Sequence, residues 1–499
     1  MSGCSIVKWF IIPNCSIRVN LGVRRLPQAS LKSIFEIPIG SWYVSVMAAT
    51  ASATRVRVSH PARDLCLAPG RTIDAPIVEG GRYGRMFPNL PAAAFDEQQL
   101  LALGVDGGIC DGGACDTESH IEAGQPFLGQ YLAHDITADR SPLRTHADIN
   151  ALRNVRSPRA NLEALYGGGP VGSPYLFDQR DPAKLLLGIP DGDLPRNRQG
   201  IALIGDPRND VHAFMTGLHV AFIRAHNRLV DRLRADGVAE SELFEDARLA
   251  LNWHYQWVIL HDLLPNLVGN EMTASVIEDG PRFYRPEGEP YIPVEFADAA
   301  YRYGHSQIKG DYQLQERGPR FPVFPDLAGF RPLAPEHVID WRRLFDVPGH
   351  EPAQHAKPID GTLPASLIRL PESITGSVDI SAYRSLAARD LQRGVGTGLP
   401  SGEAVAGAMG VEPLTRRELT LGSWPDETPL WLYILREAAV RGGGDHLGEV
   451  GGRIVAEVIV GIVRHDPESY LSNNPTWQPT LPSHEAGVFK IRDLLVPAR

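Results

Sequence analysis

The chain has 499 residues, 43% of them hydrophobic and 22% charged, a balance that excludes both a disordered polymer and a bundle of membrane helices. Lys plus Arg number 49 against 59 Asp plus Glu, a formal charge of −10, so a cation-rich surface that wraps nucleic acid is not expected. The five cysteines (Cys4, Cys15, Cys66, Cys110 and Cys115) are too sparse for a disulfide framework. They favour a reducing, cytoplasmic setting, with secretion as the alternative.

Residues 1–60 read differently from the rest. SIVKWFII and SWYVSVMAATASA are apolar but do not sit where a secretory signal would place them, and Glu36 and Pro38 interrupt the second region. No run reaches the roughly 18 uninterrupted apolar residues of a membrane span. The expected organisation is a leader or poorly ordered extension over 1–60, with Met47 as an alternative start, and one domain over 61–499. Cys110 and Cys115 fall in ICDGGACD, read as a loop with two free thiols because no second Cys or His pair stands at zinc spacing. FDEQQLLALG predicts a helix with an acidic first turn that ends at Gly104. Helical spacing of Leu218, Phe222, Leu229, Val230 and Leu233 predicts another from about Ala213 to Asp236, with Gly237 beyond its end. LFEDARLALNWHYQWVILHDLLP predicts a third, stopped by Pro265, and PLWLYILREAAV and VGGRIVAEVIVGIVRH two more. Loops over 274–297 and 309–377 are long and rich in Pro and Gly, and strand alternation is rare. The fold class is therefore mainly α: a large single helical domain with long ordered loops and little β. Loops of that length in a compact domain cover a ligand or line a channel.

Most of the 16 histidines have a bland reading. His219 and His226 lie among apolar helix neighbours and are expected as hydrogen-bonded core residues. His254 and His261 share a helix face and are expected to pack. The glycine-rich LYGGGPVG and GVGTGLPSG follow no clear strand, so a phosphate cradle is a weak reading.

Three segments rise above this background: FLGQYLAHDITAD, GDPRNDVHAFMTGLHVAFIRAHNRLV and AYRYGHSQI. With GRYGRMFPNLP, ALYGGGPVGSP and RDLQRGVGTGLPSG, in order from about residue 80 to the C-terminus, they resemble the animal haem peroxidase (peroxidase–cyclooxygenase) superfamily, in particular its bacterial members. Composition and spacing alone point to no haem. Without the joint match, His134 and Arg208 read as a polar pair with Asp135, and His305 as a packed histidine.

The resemblance implies a single haem-peroxidase domain with His134 as the distal histidine and Gln130 one helical turn before it. Arg208 is then the distal arginine and His305 the proximal ligand of the haem iron. Asp390 stands where family members usually carry an Asn bonded to the proximal histidine, and Arg302 and Arg393 hold the haem propionates. The implied reaction takes electrons from small donors (halides, thiocyanate or phenolics) to hydrogen peroxide through a ferryl intermediate, as in a response to oxidative stress. The residue types suit it. A neutral imidazole can carry a proton from one peroxide oxygen to the other, and a fixed guanidinium stabilises the negative charge that develops. A carboxylate on the proximal histidine polarises it more strongly than an amide.

Three departures from the family pattern matter. Mammalian members ester-link haem through an Asp just before the distal histidine and a Glu after the catalytic arginine; Ala133 and Val211 stand there, and neither can form an ester. His212 takes the place of a haem-bonding Met, so non-covalent haem b is expected, with chloride oxidation disfavoured. Asp135 is kept as a calcium ligand of the family, but its partner loop SPRANLEALYG carries Asn161 and Glu163 where relatives have Asp, so Ca²⁺ is left open. Cyclooxygenases and fatty-acid dioxygenases place a radical-forming Tyr three residues before the proximal histidine; here that residue is Arg302, between Tyr301 and Tyr303. A haem-dependent fatty-acid dioxygenase is the alternative function, and a non-catalytic haem-binding relative a third. The reductant and the oligomeric state are not read from the sequence.

Overall fold

The computed structural model describes residues 81–114, 117–138, 148–422, 424–425 and 427–498. The expected 1–60 extension, and Cys4, Cys15, Cys66 and Cys115, lie outside the described residues. Asp96 accepts a hydrogen bond from the backbone N–H of Gln99 and starts α1, Glu97–Gly104. Helix α2 is Gln125–Ile136, with Pro126 in its first turn, where a missing N–H costs nothing. Helix α3, Ala213–Ala235, ends at Gly237, whose φ of +87° suits the left-handed stop of a helix.

Helix α4, Leu243–Val258, departs from expectation at its end. The chain does not stop at Pro265. A π-helical turn, Ile259–Leu263, carries the path into Leu264–Val268, and Pro265 lies in the first turn of that segment. The wider π turn accommodates the ring, and the run ends at Gly269 instead. The other main helices are α5, Asn270–Asp279; α6, Leu386–Gly396; α7, Leu430–Arg441; and α8, Glu449–His465. Among the described residues, named strands pair only as three two-stranded ribbons, so the chain is mainly α as expected.

Helix α8 is buried on nearly every face, as a helix apolar all round must be. Its one central acid, Glu457, is fully buried and accepts from the N–H groups of Phe283 and Tyr284 at 2.6 and 3.0 Å. Helix α7 packs on α8, and both pack on a 3₁₀ turn, Ala300–His305. Helix α2 reaches the same turn from another side and also packs on α3. Phe127 stacks on Phe214 with centroids 3.8 Å apart, and Tyr131 on Phe222 at 4.8 Å, which locks the register of α2 on α3. Gly129 permits the close approach of α2 to the turn: a Cβ there would sit 2.7 Å from the Tyr303 hydroxyl. No helix among the described residues is long and apolar enough to cross a membrane.

Candidate active site

A cavity of about 390 Å³ opens where α2, the residues before α3 and the Ala300–His305 turn meet, within the range of cofactor pockets. Gln130, Ala133 and His134 border it from α2, Val211 and His212 from the start of α3, and His305 from the turn. Residues distant in sequence thus share one chamber, whose exposed lining is mostly apolar.

His134 is buried, and its Nδ1 lies 2.8 Å from Oδ1 of Asn209. Burial and the positive charge of Arg208 lower its pKa to about 4. Asn209 is fully buried, and its Nδ2 lies 3.1 Å from Nδ1 of His219, a second buried imidazole that burial lowers to about 3. His219 is a hydrogen-bonded core residue as expected, yet it stands one contact behind His134. Gln130 shares the cavity with His134 and meets His212, whose Nε2 is 3.0 Å from its Oε1.

Arg208 is placed differently from the expected reach over the cavity. Its guanidinium is not part of the cavity wall. Nε and Nη2 both donate to the buried carboxylate of Asp206, at 3.1 and 2.8 Å, and Nη2 also donates to the carbonyl of His134 at 2.8 Å. Asp206 is gripped from the other side by Arg156, whose Nε and Nη2 stand 3.0 and 2.5 Å from Oδ2. Burial pushes the Asp206 carboxyl up, but the bonds and charge of Arg208 and the charge of Arg156 outweigh it and hold the group well below the usual carboxylate range.

His305 presents its Nδ1 to Oδ2 of the fully buried Asp390 at 2.6 Å, the length of a charge-assisted bond. Nε2 is the ring nitrogen that Asp390 does not engage. Arg302 borders the cavity, but its nitrogens donate to Asp390 at 3.0 Å, Asp298 at 3.3 Å and the Ala297 carbonyl at 3.0 Å. Arg393 faces Asp298 at 3.9 Å and is not on the cavity wall. Both arginines expected to meet haem propionates thus already face carboxylates. The cavity-lining arginine whose hydrogen bond goes to a carbonyl instead of a carboxylate is Arg389, one residue before Asp390, whose charge it feels. Its Nε donates to the Tyr383 carbonyl at 2.6 Å, and burial lowers its pKa.

The 3₁₀ form of the turn places Arg302 one full turn before His305, and Tyr301 and Tyr303 also border the cavity. Asp135 is fully buried; Oδ2 accepts from the Leu162 N–H at 2.9 Å, Oδ1 has no partner, and burial raises the carboxyl to about 7. The facing loop has spent its oxygens on itself: Asn161 accepts from the Glu163 N–H, and Glu163 takes Ser157 and Arg156. Among the described residues no group of three His, Cys, Asp or Glu side chains is arranged to hold a metal ion. The positive charge that acts on Asp135 is that of Arg156.

Sequence reasoning missed Asn209, Asp206, Arg156 and Arg389. The first two flank Arg208 in the polar run GDPRND before an apolar helix, and that run was the available signal. Arg389 and Arg393 are one helical turn apart, so spacing offers no choice between them.

The family model described as animal haem peroxidase matches residues 144–420, a span that holds Arg208, His305 and Asp390 and begins after His134. Thyroid peroxidase of Sus scrofa is 28% identical over 264 residues, 51% of this chain and 27% of that protein. Human lactoperoxidase is 28% identical over 204 residues, 39% of this chain and 26% of that one. The chain thus spans about a quarter of the length of these relatives. Among solved structures, peroxidase A from Dictyostelium discoideum superposes with a TM-score of 0.55 at 15% identity, covering 78% of this chain and 87% of that one. A fatty acid alpha-dioxygenase of Arabidopsis thaliana gives 0.53 at 15% identity, covering 76% and 72%, so both likenesses speak to the fold. With the family model spanning more than half of its length, the chain belongs to the animal haem peroxidase family.

Proposed function

We propose that the chain holds a non-covalent haem b in the cavity between His134 and His305 and uses hydrogen peroxide to oxidise small donors such as phenols, iodide, bromide or thiocyanate. One observation carries the reading: two imidazoles, each with Nδ1 bonded to a fully buried side chain, border the same largely apolar chamber. The residues fit the group. His305 keeps Nε2 for iron, Asp390 fixes its ring, and Arg389 offers a cation to a propionate. Ala133 and Val211, both on the cavity wall, have no carboxyl to form an ester.

When bound, haem supplies the two-electron redox chemistry of peroxide reduction. The chain supplies the proton traffic. Neutral His134 takes a proton from the near oxygen of peroxide and delivers it to the far one, so that the O–O bond breaks with water as the leaving product. Arg208, held by Asp206 against the His134 carbonyl, keeps a positive charge beside this ring and opposes its protonation at rest. Each peroxide becomes two waters as two phenols each give up one electron and one proton.

A fatty-acid dioxygenase is the second reading, favoured by Tyr301 and Tyr303 on the wall of an apolar cavity. Against it, the position one 3₁₀ turn before His305 is Arg302, tied to two carboxylates. Protein reconstituted with haem is mixed with hydrogen peroxide and guaiacol or iodide, and separately with linoleate and oxygen without peroxide. Peroxide-dependent donor oxidation that falls by about a hundredfold in His134→Ala is expected. Oxygen uptake with linoleate and no peroxide requirement would replace this reading by the second. Acid butanone is expected to extract the haem.

A further inference from the structure

His134 serves as a base toward the cavity only if the nitrogen it keeps for the cavity is bare. A neutral imidazole carries one proton, on Nδ1 or on Nε2. Nδ1 stands 2.8 Å from Oδ1 of Asn209, and an amide oxygen can only accept. The proton therefore belongs on Nδ1, and Nε2 keeps its lone pair. An amide turned by half a revolution would reverse this: its NH₂ would donate to Nδ1, and the proton would move to Nε2, where it blocks the base.

What holds the amide in the productive sense is on its other side. Nδ2 of Asn209 lies 3.1 Å from Nδ1 of His219, and an amide nitrogen can only donate, so that ring nitrogen must be bare. The Tyr131 hydroxyl lies 3.5 Å from the same nitrogen and, as an O–H, can donate to it when that nitrogen is bare. Two donors facing one ring nitrogen favour its lone pair there and the amide oxygen toward His134. Asn209 is fully buried and His219 is 1% exposed, so water does not compete for either bond.

We propose that Asn209 is the positioning residue that holds His134 in its Nδ1-protonated form, and that His219 fixes the sense of the Asn209 amide. The inference rests on the peroxidase reading only for what the bare nitrogen is used for; the proton's location is a property of the chain.

The test uses haem-reconstituted full-length protein, wild type against Asn209→Leu, Asn209→Asp and His219→Phe, mixed rapidly with hydrogen peroxide or with cyanide. Hydrogen cyanide arrives protonated and gives up its proton as it binds, so its association rate reads the same base without turnover. Asn209→Leu is expected to slow both reactions by about a hundredfold, while Asn209→Asp, which keeps an acceptor oxygen on Nδ1 but adds charge, recovers about tenfold of that loss. His219→Phe is expected to fall between them. Haem content and the melting temperature of the apoprotein separate a folding defect from a proton-transfer defect, and His219→Phe against Asn209→Asp decides the matter if Asn209→Leu does not fold. Wild-type rates in Asn209→Leu or in His219→Phe, or an Asn209→Asp as slow as Asn209→Leu, overturn the proposal. Wild-type protein that binds haem and cyanide yet ignores peroxide overturns the peroxidase reading instead, and the cyanide arm still judges Asn209.

Discussion

The two imidazoles of the cavity are anchored through the same ring nitrogen to different partners. His134 meets the amide oxygen of Asn209 at 2.8 Å, and His305 meets the carboxylate of Asp390 at 2.6 Å. A neutral amide fixes the ring and the place of its proton without adding charge, so the other nitrogen stays a weak base that can accept a proton and release it. A carboxylate draws on the Nδ1 proton and loads electron density onto Nε2, which suits a metal ligand. The supports behind each follow suit. Asp390 is balanced by Arg302, a charged partner for a charged acceptor, whereas Asn209 is steered by neutral His219.

This contrast breaks most sharply at His305. Replacing it by Ala is expected to weaken haem binding by more than about a hundredfold, read by titrating hemin into apoprotein, because the iron ligand itself is gone. His134→Ala leaves that affinity within a few-fold, and equal losses in the two variants would end the division of labour. Asp390→Ala comes next: it is expected to cost about 10- to 100-fold in haem affinity and to lower the melting temperature, since Asp298 is then the one carboxylate that Arg302 donates to among the described residues. Asp390→Asn restores an acceptor, and most of that loss should return; Asn209→Leu, by contrast, should leave haem affinity unchanged.

Acid provides a third test. His134, His212 and His219 are lowered to about 4, 3 and 3 by burial, against about 6.5 in an unfolded chain. The unfolded chain binds protons more readily, so the stability these rings contribute is present above pH 6.5 and is lost as pH falls toward 4. The expected slope is up to about 1.4 kcal/mol per pH unit for each ring. Asp135, raised to about 7, acts with the opposite sign, favouring the folded state below that pH. Apoprotein melting from pH 7 to 4 should fall, and less steeply in His219→Phe; an unchanged slope would mean that this ring is not neutral in the fold. The smallest effect is at Arg389, where Met is expected to cost about tenfold in affinity for protohaem and nothing for its dimethyl ester, which lacks the propionate charges. Equal losses for the two ligands would remove Arg389 from propionate recognition.

The helices were legible because their signals are local. The apolar stripe of α3 and Gly237 after it bound that helix to within a residue or so. Pro265 misled because its effect depends on the turn it enters, and a π turn before it removed the conflict. His134 and His305 were legible from motif likeness, which carries residue types at fixed places along the chain. The partners of Arg302 and Arg393 were not: Asp390 on α6 takes Arg302, which stays on the cavity wall, and Asp298, from a different segment from α6, draws Arg393 off it. Arg208 turned away toward Asp206, two residues before it, a carboxylate that Arg156 holds from the other side.

The order of amino acids alone was enough to specify a mainly helical chain, its longest helices and the histidines around which a haem family is built. It could not specify which nitrogen of each ring is committed, because those bonds join residues 75 and 85 positions apart. Local propensity acts over a few residues, whereas the state of a buried titratable group depends on every dipole and charge that folding brings within a few ångströms.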